Sequence, residues 1–310
     1  MGSIFILYDF TAPSYSSSFL AFFVFLLLFL VFLLFFPFLI LFFTILDLGL
    51  DLQKFKVILY GMNYKSLVAK REILQKNIAG FSGDKFAFSD SLLVDILFSL
   101  HSLSGSRCTK KEIFNVIKDG QLSPKRRFQD YVEIFNLIKA FRMIEGWTHD
   151  RSVLQLADLV VLNKTLGVHL DEEHAGMFNR MSSPLTEDLR PSPTLAPVSD
   201  IMNSFTSWAQ VREHPLKISA DLIFRLLCIK PFKRFNTVTA WLTGSVYLMK
   251  GGFCPPLVLK GERLNCNSLV HDFFQGNSLK EYYDFFGKCL NRGLNAVIDS
   301  ASNPTISSCE

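Results

Sequence analysis

Two groups of residues in this chain have types and spacing that could do chemistry. The first is the run Lys230-Pro231-Phe232-Lys233-Arg234-Phe235-Asn236-Thr237-Val238, which leads into a helical pattern. Cations gathered at a helix start could hold an anion such as a phosphate or an acidic peptide, because the first N–H groups lack partners and the helix dipole favours negative charge there. A desolvated lysine could also serve as a base or nucleophile. The plainer reading, and the preferred one, is a solvated basic turn in which Asn236 is an ordinary turn or cap residue. The second group is His169 and His174 with Asp171, Glu172 and Glu173. These are metal-ligand types, but no i, i+4 pairing on a helix supports a site, so a solvated loop is expected and no metal. His101 and His214 read as packing or capping residues. The six cysteines show no C-x-x-C spacing, which argues against a zinc site or a disulfide framework. Asn163-Lys164-Thr165 matches a glycosylation sequon, yet it falls inside a predicted helix and would be used only in a secretory lumen.

The elements that must position these residues are mostly helical. Leu67, Ile73, Leu74 and Ile78 recur at three- and four-residue steps, as do Leu92, Leu93, Ile96, Leu97 and Leu100, with Gly80 to Gly83 as a break between them. Thr109 with Glu112 is a capping-box pattern, and Asp119-Gly120 closes the helix it opens. Helices are predicted over 131–144, 153–166, 198–208, 218–229, 239–249 and 278–294. Between residues 179 and 197 lie Pro184, Pro191, Pro193 and Pro197 without an apolar period, so a loop with at most a short hairpin is expected. The formal charge of +4 is too small to argue for nucleic acid, and no RNA-binding motif is present.

Residues 19–46 carry no charge at all. As one helix they would run about 42 Å, more than the ~30 Å hydrocarbon core requires, and could span with tilt or with a kink at Pro37. The chain before them holds one charge, Asp9, whereas Lys54, Lys56, Lys65, Lys70 and Arg71 follow. That asymmetry puts the C-terminal part in the cytoplasm. A cleaved signal peptide fits less well, because the run is long and no Lys or Arg precedes it.

The stretch Leu222 to Leu257 resembles the core of the Fic (Fido) adenylyltransferases: a helix, then H-P-F-x-[DE]-G-N-G-R-x-x-R, a second helix and a Gly-aromatic-Pro turn. Pro231, Phe232, Asn236 and Ala240 stand in register, followed by Leu248, Gly252, Phe253 and Pro255. His214-Pro215-Leu216 is similar to the His-Pro pair that opens the preceding helix. Phe98 to Gly105 resembles the Ser-x-x-x-Glu-Gly inhibitory helix of class II members, Gly120, Lys125, Glu133 and Asn136 follow a family line, and Ala175-Gly176-Met177-Phe178 is similar to the Ala-Gly-x-Tyr before the target-holding flap. The resemblance covers roughly residues 62–295. It implies an all-α Fic/Fido domain with a short Pro-rich flap, preceded by a single transmembrane helix.

In the family the motif His is the general base, the acidic residue holds Mg²⁺ on ATP, the glycines turn backbone N–H groups toward the phosphates, and the first Arg stabilises the leaving pyrophosphate. In this chain Lys230 takes the His position and stays protonated unless desolvated. Arg234 puts a cation where the metal should sit. Phe235 and Thr237 replace the glycines, and Thr tolerates positive φ poorly. Val238 and Trp241 replace both arginines, leaving Asn236. The inhibitory element has lost its matching partners, with Leu100 for the Ser and Ser104 for the Glu before Gly105, so no unpaired carboxylate is left behind.

These readings divide the chain into a tail (1–18), a transmembrane helix (19–46), a linker (47–61), an N-terminal helical region with the degenerate inhibitory helix (62–150), the Fido core (151–298) and a disordered tail (299–310). The expected function is a pseudoenzyme acting by binding or anchoring, with an unknown protein partner, membrane contact through 19–46, and no cofactor. The competing readings are a surviving adenylyltransferase using ATP and Mg²⁺, or altered phosphate chemistry at Lys230. Runs of Phe, Leu and Ser also arise when a pyrimidine-rich non-coding stretch is translated on paper. Translation would then start at Met62 and the protein would be cytoplasmic.

Overall fold

Caps and glycines punctuate the chain much as the sequence predicts. The computed structural model describes residues 64–77, 89–105, 107–121, 123–149, 153–210, 214–276 and 278–302. The expected transmembrane helix (19–46), its flanks (1–18 and 47–61), the Gly80–Gly83 break and residues 303–310 lie outside the described residues. Among the described residues no helix is long and apolar enough to cross a membrane.

Helix α1 spans Tyr64–Asn77. Helix α2 (Asp90–Leu103) starts where Ser89 accepts from the Leu92 N–H. Helix α3 (Lys110–Asp119) has the predicted capping box: Thr109 accepts from Glu112 N–H, and the Glu112 carboxylate takes the Thr109 N–H. Gly120 ends it in the left-handed conformation at φ 66°, which costs glycine little. Helix α4 (Phe128–His149) and helix α5 (Leu156–Gly167) follow. The Pro-rich stretch is a loop closed by a two-residue hairpin, β1 (Met181–Ser182) antiparallel to β2 (Ala196–Pro197), with Ser182 opposite Ala196.

One predicted helix, 198–208, is instead two short ones, α6 (Val198–Met202) and α7 (Phe205–Ala209). The break falls at Asn203-Ser204, side chains that compete with helical hydrogen bonds. Helices α8 (Pro215–Ile229) and α9 (Asn236–Lys250) form the central pair. Their approach is close because Gly244 of α9 faces Ile223 of α8; a Cβ there would overlap the Ile223 side chain. Helix α10 (Arg263–Phe274), entered by a 3-10 turn at Lys260–Glu262, has no counterpart in the sequence reading. Helix α11 spans Lys280–Ser302 and runs past residue 299, where the tail was expected to fray. Ser300 Oγ donates to Ala296 O at 2.7 Å, and Val297 is buried.

Helices α2, α4 and α5 pack on α9, while α1 lies along α11, where Lys70 Nζ donates to Asn291 and Asn295. The core between these layers holds Phe141, Phe224, Trp241 and Phe286, each almost wholly buried. Burying such a side chain is worth roughly 1.5–3 kcal/mol. The architecture is all-α with a short flap, and it presents the α8–α9 loop at the ends of the two most tightly packed helices.

Candidate functional site

The α8–α9 loop is fastened to its neighbours through its main chain, while the side chains of Lys230, Lys233 and Arg234 stay exposed. Lys230 caps α8 in the left-handed conformation (φ 47°), and its N–H donates to Leu226 O at 3.0 Å. Phe235 precedes α9 in the same conformation (φ 60°), with no side-chain cap. Between them Phe232 is fully buried and pairs with Phe178, ring centroids 5.2 Å apart. The segment before the flap fastens this loop through its main chain. Asn179 N donates to Pro231 O (2.8 Å), Lys233 N donates to Met177 O (3.0 Å), and Asn179 Nδ2 donates to Lys230 O (2.7 Å) and Phe232 O (2.9 Å).

Asn236 is the first residue of α9 rather than its cap, which is Phe235. Its Oδ1 accepts from Phe232 N at 2.8 Å and its Nδ2 donates to Phe232 O at 2.6 Å, so both ends of the amide staple the loop. The expected clash at Thr237 does not arise, because Thr237 lies in the first turn of α9 and Phe235 alone of the two takes positive φ. Val238 and Trp241 are buried in the core, 4% and 1% exposed. Arg234 lies 3.4 Å from Asp171, whose other oxygen is 2.8 Å from His174 Nδ1. The His174 hydrogen bond chiefly, with Arg234 adding to it, holds the Asp171 carboxyl below its usual range.

The remaining expectations fall as follows. Among the described residues no group of three or more His, Cys, Asp and Glu is placed to hold a metal. His169 has a positive φ of 57° and faces Glu172 at 3.2 Å on the surface. His214 caps α8 by accepting the Leu216 N–H. His101 is buried on α2. Burial pushes its pKa down to about 4, with Asp130 and Glu112 opposing and Arg126 assisting. Burial drives the Cys228 and Cys289 thiols up to about 12 and raises Cys254 further, so these thiols are unreactive at neutral pH.

Leu100 is part of the core, and Ser104 ends α2 with its hydroxyl donating to His101 O at 2.7 Å. Gly105 (φ 88°) lies against the Arg263 guanidinium, which a Cβ would overlap. Ser104 and the first turn of α9 line the same cleft, while Trp241 is buried in the core. That cleft measures about 260 Å³ and is lined by His101, Ser104, Glu133, Arg234, Asn236 and Arg263 among others. Burial, with Asp130 adding, raises the Glu133 carboxyl. A second hollow of about 310 Å³ opens on Lys230, Lys233 and Arg234, with Leu227 and Val270 as its apolar wall.

Three residues that hold this region were not singled out as such in the sequence. Asn163, read as a sequon, is fully buried. It donates to Arg234 O and Thr239 Oγ1 (both 3.0 Å) and accepts from Gly176 N (2.7 Å), tying α5 to the loop. Asn179 fastens the loop from the flap side. Arg225 is 9% exposed, donates to Thr186 O and Glu187 O, and lies 5.2 Å over Trp208, pinning the flap to α8. A polar residue within an apolar helical run was the one available signal for Asn163 and Arg225.

No family model matches the chain. Among curated proteins it is similar to the protein adenylyltransferase Fic of Culex quinquefasciatus, 21% identical over 77% of this chain and 48% of the relative. It is also similar to that of Nematostella vectensis, 21% identical over 75% and 55%. The chain thus spans about half the length of the curated relatives it matches. Among solved structures, a Fic-domain-containing signalling protein from Bacteroides thetaiotaomicron superposes with a TM-score of 0.63 at 20% identity, covering 80% of this chain and 100% of the other. Fic-1 from C. elegans gives 0.62 at 15% identity, over 78% of this chain and 72% of the other.

Proposed function

We propose, from the premise that this chain is a Fic/Fido-domain protein, that its nucleotide-transfer site has decayed and that it acts by binding or anchoring. The observation that carries this reading is the Arg234–Asp171 ion pair. The resemblance assigns Arg234's position to the carboxylate that holds Mg²⁺. Arg234 instead brings a cation, and it occupies a nearby carboxylate that is itself bonded to His174. Asn236 spends both amide atoms on Phe232. The residues present therefore do not fit a magnesium nucleotide: the loop lacks a carboxylate, and both arginine positions are apolar and buried. What survives of an anion site is the uncapped first turn of α9.

The alternative of altered chemistry at Lys230 finds less support. A lysine acts as a base or nucleophile when burial strips its solvent, and Lys230 is exposed. An adenylyltransferase would need a base, a metal ligand and an oxyanion partner together, and none of the three stands in register here. The test is transfer of label from α-labelled ATP to the protein itself and to a cell extract, with Mg²⁺ or Mn²⁺. This reading expects no transferred label above a heat-denatured control; labelled protein that depends on Lys230 would overturn it.

A further inference from the structure

The flap and the α8–α9 loop run side by side as one ribbon. Phe178 pairs with Phe232, Asn179 N donates to Pro231 O, Lys233 N donates to Met177 O, and Ser182 Oγ donates to Ile229 O at 2.8 Å. Leu195 precedes Ala196, the partner of Ser182, so it falls on the same hairpin. The exposed side chains of these segments are of mixed character. Met177 and Met181 are 49% exposed and Leu195 is 64% exposed, large apolar side chains open to water on neighbouring segments. On the same segments Arg180, Lys230 and Lys233 are exposed, and no carboxylate pairs with them among the described residues. Arg234 is the loop cation that does find an acid.

We propose that this ribbon docks on the surface of an anionic lipid bilayer. A purely polar partner would leave the two methionines and Leu195 without a role, and a neutral apolar partner would desolvate three unpaired cations. An anionic bilayer surface takes both: headgroups meet the cations, and short apolar side chains enter the headgroup–acyl boundary. Each Lys or Arg near such a surface strengthens partition roughly fivefold, so three contribute on the order of 10²-fold, and the attraction fades with salt because the Debye length is only about 8 Å at physiological ionic strength. If residues 19–46 span a bilayer, the seventeen residues between Leu46 and Tyr64 allow a reach of up to about 60 Å. The charge asymmetry around that segment would then place the domain on the cytoplasmic side, whose leaflet is the anionic one.

The test is hydrogen exchange of the full-length chain in lipid nanodiscs, comparing phosphatidylcholine alone with phosphatidylcholine containing about one third phosphatidylserine. The expected result is slower exchange across 177–183 and 229–233 in the anionic discs, by tenfold or more. It should return to the neutral-disc rate at 0.5 M salt, and also in the triple variant Arg180→Glu, Lys230→Glu, Lys233→Glu. Because all three side chains are on the surface, an unchanged circular dichroism spectrum checks that variant's folding, and the salt arm needs no variant. Equal exchange in the two discs overturns the proposal. So does equal protection by soluble poly-glutamate without lipid, which would make an acidic peptide the partner instead.

Discussion

Acidification should destabilise this domain through His101. The imidazole sits on α2, 3% exposed, and its Nε2 has no hydrogen-bond partner. Burial lowers its pKa from 6.5 to about 4. At 1.36 kcal/mol per pH unit that difference is worth about 3 kcal/mol. The sign follows from proton counting. Between the two values the unfolded chain binds the proton and the folded chain does not, so stability rises with pH. The contribution is complete above pH 6.5, falls as pH drops, and is almost spent near pH 4. The assay is urea unfolding of the wild type and His101→Leu at pH 7.5, 6.5, 5.5 and 4.5. Subtracting the two curves cancels the carboxylates and His214, which both proteins share. The wild type should lose about 2.5 kcal/mol more than the variant between pH 7.5 and 4.5. Identical pH dependence in the two proteins would refute the reasoning, since His101 would then be solvated or hydrogen-bonded in the folded state.

Other outcomes follow from the loop and the helix pair. Lys230→His should leave adenylyl transfer undetectable, because the metal ligand and both arginines stay absent; turnover in a labelled-ATP assay would contradict the view that the whole site is gone. Gly244→Ala should destabilise by about 1–3 kcal/mol in urea denaturation, since its Cβ overlaps Ile223 on α8; a neutral result would mean the α8–α9 contact is looser than described. The full-length chain should pellet with membranes after alkaline carbonate extraction, and a form beginning at Met62 should not. Release of the full-length chain would remove residues 19–46 as an anchor.

Local signals carried most of the fold. The Thr109–Glu112 capping box, Gly120, and the His214-Pro215 start of α8 act within a few residues, so they can be read from the chain alone. Helix α10 could not, because Asn265, Asn267, Ser268, His271 and Asp272 interrupt its apolar residues and leave no period. The break at Asn203-Ser204 was hidden by the apolar residues on both sides. The resemblance expected a loop between two helices at 230–235, where the structure has one, and the substitutions within it are visible in the sequence. Their consequences were not. Arg234 meets Asp171 from 63 positions away, Asn163 reaches the loop from α5, and Trp241 turns into the core rather than toward Ser104. Each depends on tertiary packing that no local pattern encodes.

The central claim is that the α8–α9 loop no longer accepts a magnesium nucleotide. Calorimetric titration of the purified protein with millimolar ATP and ADP, with and without Mg²⁺, tests it most directly. The account predicts no Mg²⁺-dependent heat of binding for either nucleotide. Saturable, Mg²⁺-dependent binding that Arg234→Ala alters would contradict it, and would mean that the loop has rebuilt a phosphate site around its cations.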